Sequence, residues 1–496
     1  MRLDVLKPIV KLLPEVRVPE RIPTLNEKLL WTLIALLIFF TMYHVFPIGV
    51  DVTQLSSSQF AFLEVILASR IGSLITVGIG PIILASIFLQ LFMGAKIIEI
   101  DLKDPDQKAL FQGVQKILAI FLCIVEPAVY VFSPGGLPVL GQATGTAIVS
   151  IFFTQFLVLF QLALGSIILL YLDEVVSKYG IGSGISLFIA AGVSLSVVQG
   201  TIGLIGLTSG ISPERTVLYA IQQGGANAIA NAIIALLPVL FTAVVFLAST
   251  YAEGMKIEIP LAFERARGFG GRFPIKFLYV SNIPVILASA LLLNFQLLAR
   301  AISGLSPINI GNADIIKTIA DVGPGGTIQG GLIYFLTPTF PNPLFVGYQG
   351  YLAYFSGARD LIFPFLGTIS IPLVVHAITY LAFLIVLCII FGKFWIETTG
   401  MGPKEVSEQL QRSGLQIPGY RRDPRIVEKV LDRYIPVITI LGSAFVGVLA
   451  GFADLTGALG TGTGILLTVG ILHKFYEELT TQRMFEMYPQ LRKLVG

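Results

Sequence analysis

The sequence predicts an all-α polytopic membrane protein, with ten transmembrane helices in two inverted, pseudosymmetric halves of five. Three observations predict it. Of the 496 residues, 55% are hydrophobic and only 13% are charged, where a soluble domain carries about 25% charged residues. The apolar residues fall in long runs: Leu29 to Val50 passes without an Asp, Glu, Lys or Arg, and a helix needs about 20 apolar residues to cross a bilayer core. Finally, the stretch YGIGSGISLF (Tyr179 to Phe188) returns five spans later as LGTGTGILLT (Leu459 to Thr468).

The elements follow in order. Residues 1–28, with prolines at 8, 14, 19 and 23, read as an amphipathic segment on the cytosolic surface. The spans read as Leu29–Val50, Ile71–Ala95, Gly113–Phe132, Thr144–Leu172, Gly184–Leu207, Ala228–Tyr251, Phe277–Ala299, Ile371–Phe394, Ile435–Phe452 and Gly464–Lys474. The fourth is long enough to tilt, and the last continues as an amphipathic helix. No small-x-small cleavage site follows the first run, so it reads as a span and not as a cleaved signal. The N-terminal half covers 29–227, with an external piece at 52–68. The C-terminal half covers 228–496, with cytosolic loops at 253–276 and 395–434 and a Gly/Pro-rich external loop at 301–370.

Charge tests the count. Twenty-eight of the 33 lysines and arginines fall in the N-terminal segment, the loops after even-numbered spans and the C-terminal tail. Only Arg70, Arg215, Arg300, Lys317 and Arg359 fall on the other side. A miscounted span would mix the two sets. The positive-inside rule therefore places both termini in the cytosol.

By that topology one glycine stretch opens its span from the cytosol and the other from outside, as an inverted repeat requires. Aligning their glycine triads pairs Gly180, Gly182 and Gly184 with Gly460, Gly462 and Gly464. A second echo joins GIGPIILAS (Gly78 to Ser86) with SNIPVILAS (Ser281 to Ser289), which sets Pro81 against Pro284 and Ile83 against Ile286. Inverted repeats with interrupted helices point to a pathway between the halves.

That pathway holds few ionisable groups: Glu126 in the third span and the polar Asn294 in the seventh. Asp173 and Glu174 stand where a helix-end role suffices. His44, His376 and His473 lack ligand spacing, and Cys123 and Cys388 read as packing residues, so no catalytic site, metal or cofactor is expected. A phosphate cradle needs a Lys-Ser/Thr after the glycines, and neither stretch has one. A secondary transporter would need a polar site at mid-membrane, for which Glu126 and Asn294 are poor material. An uncharged pathway suits varied cargo, and an aliphatic constriction can seal against ions by dewetting. The Arg-rich loops ERARGFGGRF (Glu264 to Phe273) and GYRRDPR (Gly419 to Arg425) either serve orientation alone or dock a polyanion such as ribosomal RNA.

The stretches ASRIGSLITVGIGPII, ALFQGVQKILAI, YLDEVVSKYGIGSGISLFIAAGV, FPIKFLYVSNIPVILASAL, FWIETTG and GALGTGTGILLTV strongly resemble the SecY family of protein-translocation channels, in wording closest to its archaeal and eukaryotic branch. The resemblance covers nearly all of the chain outside Ala301–Ser370. It implies an hourglass pore with a lateral gate, in the plasma membrane of a prokaryote, an archaeon by its motifs. By motif, the pore ring is Ile79, Ile83, Ile185, Ile189, Ile286 and Leu467. The external piece after the first span corresponds to a plug. Glu126 and Asn294 are polar residues of the gate formed by spans 2 and 3 against 7 and 8, with Leu84 where a hydroxyl is usual and Ser86 nearby. Arg265, Arg267, Arg272, Arg421 and Arg422 are docking residues for the ribosome and its RNA. The resemblance also implies a clamp subunit, SecE, a small beta-type subunit, signal peptides and nascent polypeptides as cargo, lipid at the gate, and no cofactor.

Overall fold

The computed structural model describes residues 7–10, 13–21, 23–51, 68–94, 97–98, 104–132, 137–140, 148–207, 216–224, 228–263, 270–303, 309–310, 313–323, 328–341, 343–363, 367–412, 415–416 and 424–487. Ten helices correspond to the expected spans: α1 (Leu25–His44), α2 (Gly80–Gly94), α3 (Pro105–Phe132), α4 (Ile148–Tyr179), α5 (Gly184–Ile205), α6 (Ala228–Gly254), α7 (Ile283–Ser303), α8 (Leu373–Thr399), α9 (Pro424–Thr456) and α10 (Gly462–Met487). Eight of them are long and apolar enough to cross a membrane by themselves. The exceptions are α2, with 15 residues, and α10, which turns polar after its apolar start.

α3 and α9 begin 8 and 11 residues before the expected Gly113 and Ile435, and two other departures from the sequence reading have clear reasons. The second span was expected from Ile71, yet residues 71–79 form turns and the helix starts at Gly80. Gly72 and Gly78 have left-handed φ of 87° and 59°, which break a helix before it forms. The N-terminal segment is a strap: residues 13–21 are non-helical and lie against α3 and α4. Lys116 Nζ donates to the Pro14 carbonyl (2.7 Å), Val16 N–H to Glu174 Oε2 (3.2 Å) and Tyr179 Oη to the Arg17 carbonyl (2.9 Å). Pro14 and Pro19 keep this stretch out of a helix, and Lys116 and Lys178 take up the free Pro14 and Val16 carbonyls.

The packing repeats. In the first half α1 packs on α4 and α5, α2 on α3, α3 on α4, and α4 on α5. In the second half α6 packs on α9 and α10, α7 on α8, α8 on α9, and α9 on α10. The halves meet along α5 with α6 and α10 on one side, and along α2 with α7 and α8 on the other. One large buried cluster runs through the middle and takes residues from both halves.

The region between α7 and α8 is a small folded cap. It holds short strand pairs, helices Leu332–Leu336 and Pro343–Phe355, and the hairpin Ala358–Phe363 with Gly367–Pro372. Tyr348 donates its hydroxyl to the Thr456 carbonyl (2.8 Å) and Tyr351 to the Leu455 carbonyl. His376, fully buried, is a packing residue: its ring bonds Tyr354 (3.0 Å) and the Thr337 carbonyl (2.9 Å) and stacks on Phe340.

Candidate functional site

The glycine stretches are helix starts pressed against an aspartate. Gly182 and Gly460 take left-handed φ of 67° and 79°, and the helices begin at Gly184 and Gly462. Asp173, at the end of α4, accepts the Ile185 N–H (2.9 Å) and that of Gly184. A Cβ on Gly184 would stand 2.5 Å from the Asp173 Cα. At the other start, Asp454 accepts the Gly462 N–H (2.8 Å) through one oxygen and the Tyr380 hydroxyl (2.7 Å) through the other. A Cβ on Gly462 would stand 2.1 Å from the Ala450 carbonyl. In each half an aspartate of the preceding helix thus satisfies donors that a helix start leaves open.

This geometry corrects the register of the repeat. Structurally Gly182 matches Gly460 and Gly184 matches Gly462, two residues from the triad alignment. The second echo keeps its register. Gly78 and Ser281 share a left-handed backbone, φ 59° and 56°, and helices start two residues later at Gly80 and Ile283. Ile83 and Ile286 then stand at one equivalent position, and Ile189 and Leu467 at another.

All six ring candidates lie in the central cluster. Ile79, Ile83, Ile189 and Leu467 are buried in it, and the half-buried Ile185 and Ile286 pack against it. They come from α5, α7, α10 and the start of α2, hence from both halves. Ala68, the last residue of the plug-like piece at 52–68, belongs to the same cluster and faces Gly192 of α5, whose Cβ would lie 3.4 Å from the Ala68 Cα. Residues 52–67 lie outside the described residues.

A second cluster closes the seam between the halves. Tyr130 and Val131 of α3 join Leu293 and Leu297 of α7, with Val77 beside them. The gate candidates flank it in sequence: Glu126, buried, is one turn before Tyr130, and Asn294 follows Leu293. Among the described residues the two do not hydrogen-bond each other. Asn294 donates to the Ala290 carbonyl of its own helix (2.7 Å). Leu84 turns toward α3, packing with Ala119 and Leu122.

Of the docking candidates, Arg272 lies on a strand paired opposite Pro260 in the hairpin Lys256–Phe263 with Gly270–Lys276. Arg265, Arg267, Arg421 and Arg422 lie outside the described residues. The two loops are neighbours nonetheless, because Ala262 and Phe263 pair with Gln416 and Leu415. Sequence reading missed Asn282, Ser289 and Thr463, three buried polar residues between α7 and α10. The signal was there, in a lone Asn opening an apolar span within the quoted echo.

A model of the SecY family matches residues 73–476. The chain is 41% identical over 494 residues to the protein translocase subunit SecY of Methanocaldococcus jannaschii, covering 99% of each. It is 39% identical over 507 residues to that of Pyrococcus furiosus, again over 99% of each. A solved structure described as a protein conducting channel superposes with a TM-score of 0.74 at 39% identity, covering 98% of both chains. Sec61 in the canine ribosome-channel complex from the endoplasmic reticulum superposes with 0.72 at 38% identity, also over 98% of both. With the ten-helix packing, the paired helix starts and the shared aliphatic cluster, these findings lead to one conclusion: the chain belongs to the SecY family.

Proposed function

We propose that this chain is the central, pore-forming subunit of a protein translocon, a passive channel for secretory polypeptides that also releases apolar segments sideways into lipid. One observation carries the reading: aliphatic side chains from four elements of two inverted halves converge in one buried cluster. Such a cluster excludes water and ions at rest, and it parts for an extended chain without having to recognise it. The names of the relatives support the cargo. The described site offers positioning and exclusion of water, and chain movement is driven by partners.

The seam formed by α2 and α3 against α7 and α8 is the lateral gate. A signal segment opens it by partitioning into lipid, which favours each strongly apolar residue by roughly 0.3–0.6 kcal/mol. Glu126 and Asn294 set the polarity of the gate's surroundings. The basic face is cytosolic, both termini lie there, and the membrane is the plasma membrane of an archaeon. The paired loops at 253–276 and 395–434, with Arg265, Arg267, Arg272, Arg421 and Arg422, dock the ribosome. A SecE subunit clamps the halves and a small beta-type subunit completes a heterotrimer.

Site-specific crosslinking from positions 83 and 286 to a stalled secretory chain tests the pore. Crosslinks from both are expected, and none from either overturns the assignment. Ile83→Gly and Ile286→Gly raise ion leak in reconstituted vesicles, and unchanged leak in both rejects the seal.

A further inference from the structure

The two halves contribute unequally to the seal. In structural register, Ile83 matches Ile286 and Ile189 matches Leu467, but Ile79 matches Asn282 and Ile185 matches Thr463. The C-terminal half therefore carries polar residues at two of the four positions that match the N-terminal ring isoleucines. Both are buried, at 4% and 0% exposure. Both are engaged between the same two helices. Asn282 Nδ2, at the start of α7, donates to the Leu466 carbonyl of α10 (2.7 Å). Thr463 Oγ1 of α10 shares a hydrogen bond with Ser289 Oγ of α7 (3.2 Å). Asn282 and Ser289 bracket Ile286, one turn on either side. Leu466 and Thr463 are the residue before Leu467 and the residue one turn before it.

We propose that Asn282, Ser289 and Thr463 are positioning residues of the channel: their two hydrogen bonds stitch α7 to α10 and hold Ile286 and Leu467 at one level of the seal. This rests on the seal assigned above. The chemistry suits the place. In lipid, apolar burial does little to hold one helix against another, and buried polar pairs together with close packing fix their register. Small residues permit the approach. A Cβ on Gly470 would stand 2.3 Å from Asn282 Nδ2, so Gly470 makes the room in which the amide lies. The N-terminal half keeps isoleucine at both positions, so the seal is fixed on one side by hydrogen bonds and built on the other from side-chain bulk.

Ion leak of the purified, reconstituted channel complex tests this, read with chloride and with larger anions. Loss of one stitch, worth about 0.6 kcal/mol, converts to a roughly threefold rise in leak for Asn282→Ala. Gly470→Ala, which pushes the amide away without removing it, raises leak in the same way. Thr463→Val raises leak and Thr463→Ser, which keeps the hydroxyl, restores it. Because the stitch acts through Ile286 and Leu467, Asn282→Ala adds nothing further once both are glycine (Ile286→Gly with Leu467→Gly), whereas general loosening would add to it. If Ile286→Gly leaks while Asn282→Ala and Gly470→Ala stay tight, the stitch is wrong and the seal stands. If Ile286→Gly also stays tight, the seal falls and the stitch with it.

Discussion

At the scale of single residues, the aspartates explain why the glycine stretches exist. A helix that begins inside an apolar core leaves N–H groups that cannot reach water. Asp173 and Asp454 supply the acceptors, and glycine at 184 and 462 lets the chain come close enough. Asp173→Ala and Asp454→Ala are each expected to destabilise the purified protein by about 1–3 kcal/mol, the cost of stranding a buried donor. Thermal unfolding in detergent measures it. Asp173→Ala strands the Gly184 and Ile185 N–H groups and Asp454→Ala the Gly462 N–H and the Tyr380 hydroxyl, and an unchanged midpoint in both variants would reject the capping role. The glycine spacing made these sites visible in the sequence, and a helix-end role for Asp173 followed from its position. Asp454 lies eight residues before its partner glycine, across a turn, and no local pattern joins them.

At the scale of elements, the spans were legible and the connections were not. Apolar runs mark where lipid is, while proline and glycine mark where a helix breaks; which turn the chain then makes depends on its neighbours. The N-terminal strap is the clearest case, since its prolines exclude a helix but do not say what it crosses. One of its contacts is ionic and exposed: Lys178 Nζ lies 2.9 Å from Glu15 Oε1, and Glu15 is 73% exposed. The Lys178 hydrogen bond and charge hold the Glu15 carboxyl below its ordinary value. A carboxyl whose folded pKa is lowered contributes above its unfolded value and loses that contribution as pH falls through the folded one. The strap should therefore be protected at pH 7 and lose protection as pH falls below the ordinary carboxylate range. Limited proteolysis of residues 13–21 would show it. Glu15→Gln should remove the pH dependence, and an unaltered profile in that variant would assign the effect to another group.

At the scale of the whole molecule, the two halves share a packing plan and differ in how they are tied. Each pair of neighbours in the first half has its counterpart in the second. The seam between them is closed by Tyr130, Val131, Leu293 and Leu297, apolar contacts that cost little to exchange for lipid, as a gate onto the bilayer requires. If this seam is the gate, joining cysteines introduced at 131 and 297 with a short bismaleimide should block release of apolar segments into lipid. Signal-dependent insertion, assayed with and without the reagent, measures this. Insertion that continues after complete crosslinking would place the exit elsewhere.

The sequence by itself determined the number of spans, the concentration of positive charge in alternate loops and the existence of a repeat, because hydropathy, charge and glycine spacing are local properties of the chain. Only the tertiary structure decided the register of that repeat, and with it that Asn282 and Thr463 stand where the first half has Ile79 and Ile185. Equivalence between two halves is a matter of where helices start and what they touch. A two-residue shift at a buried turn is invisible in a run of alternating glycines, but it changes which side chain faces its counterpart.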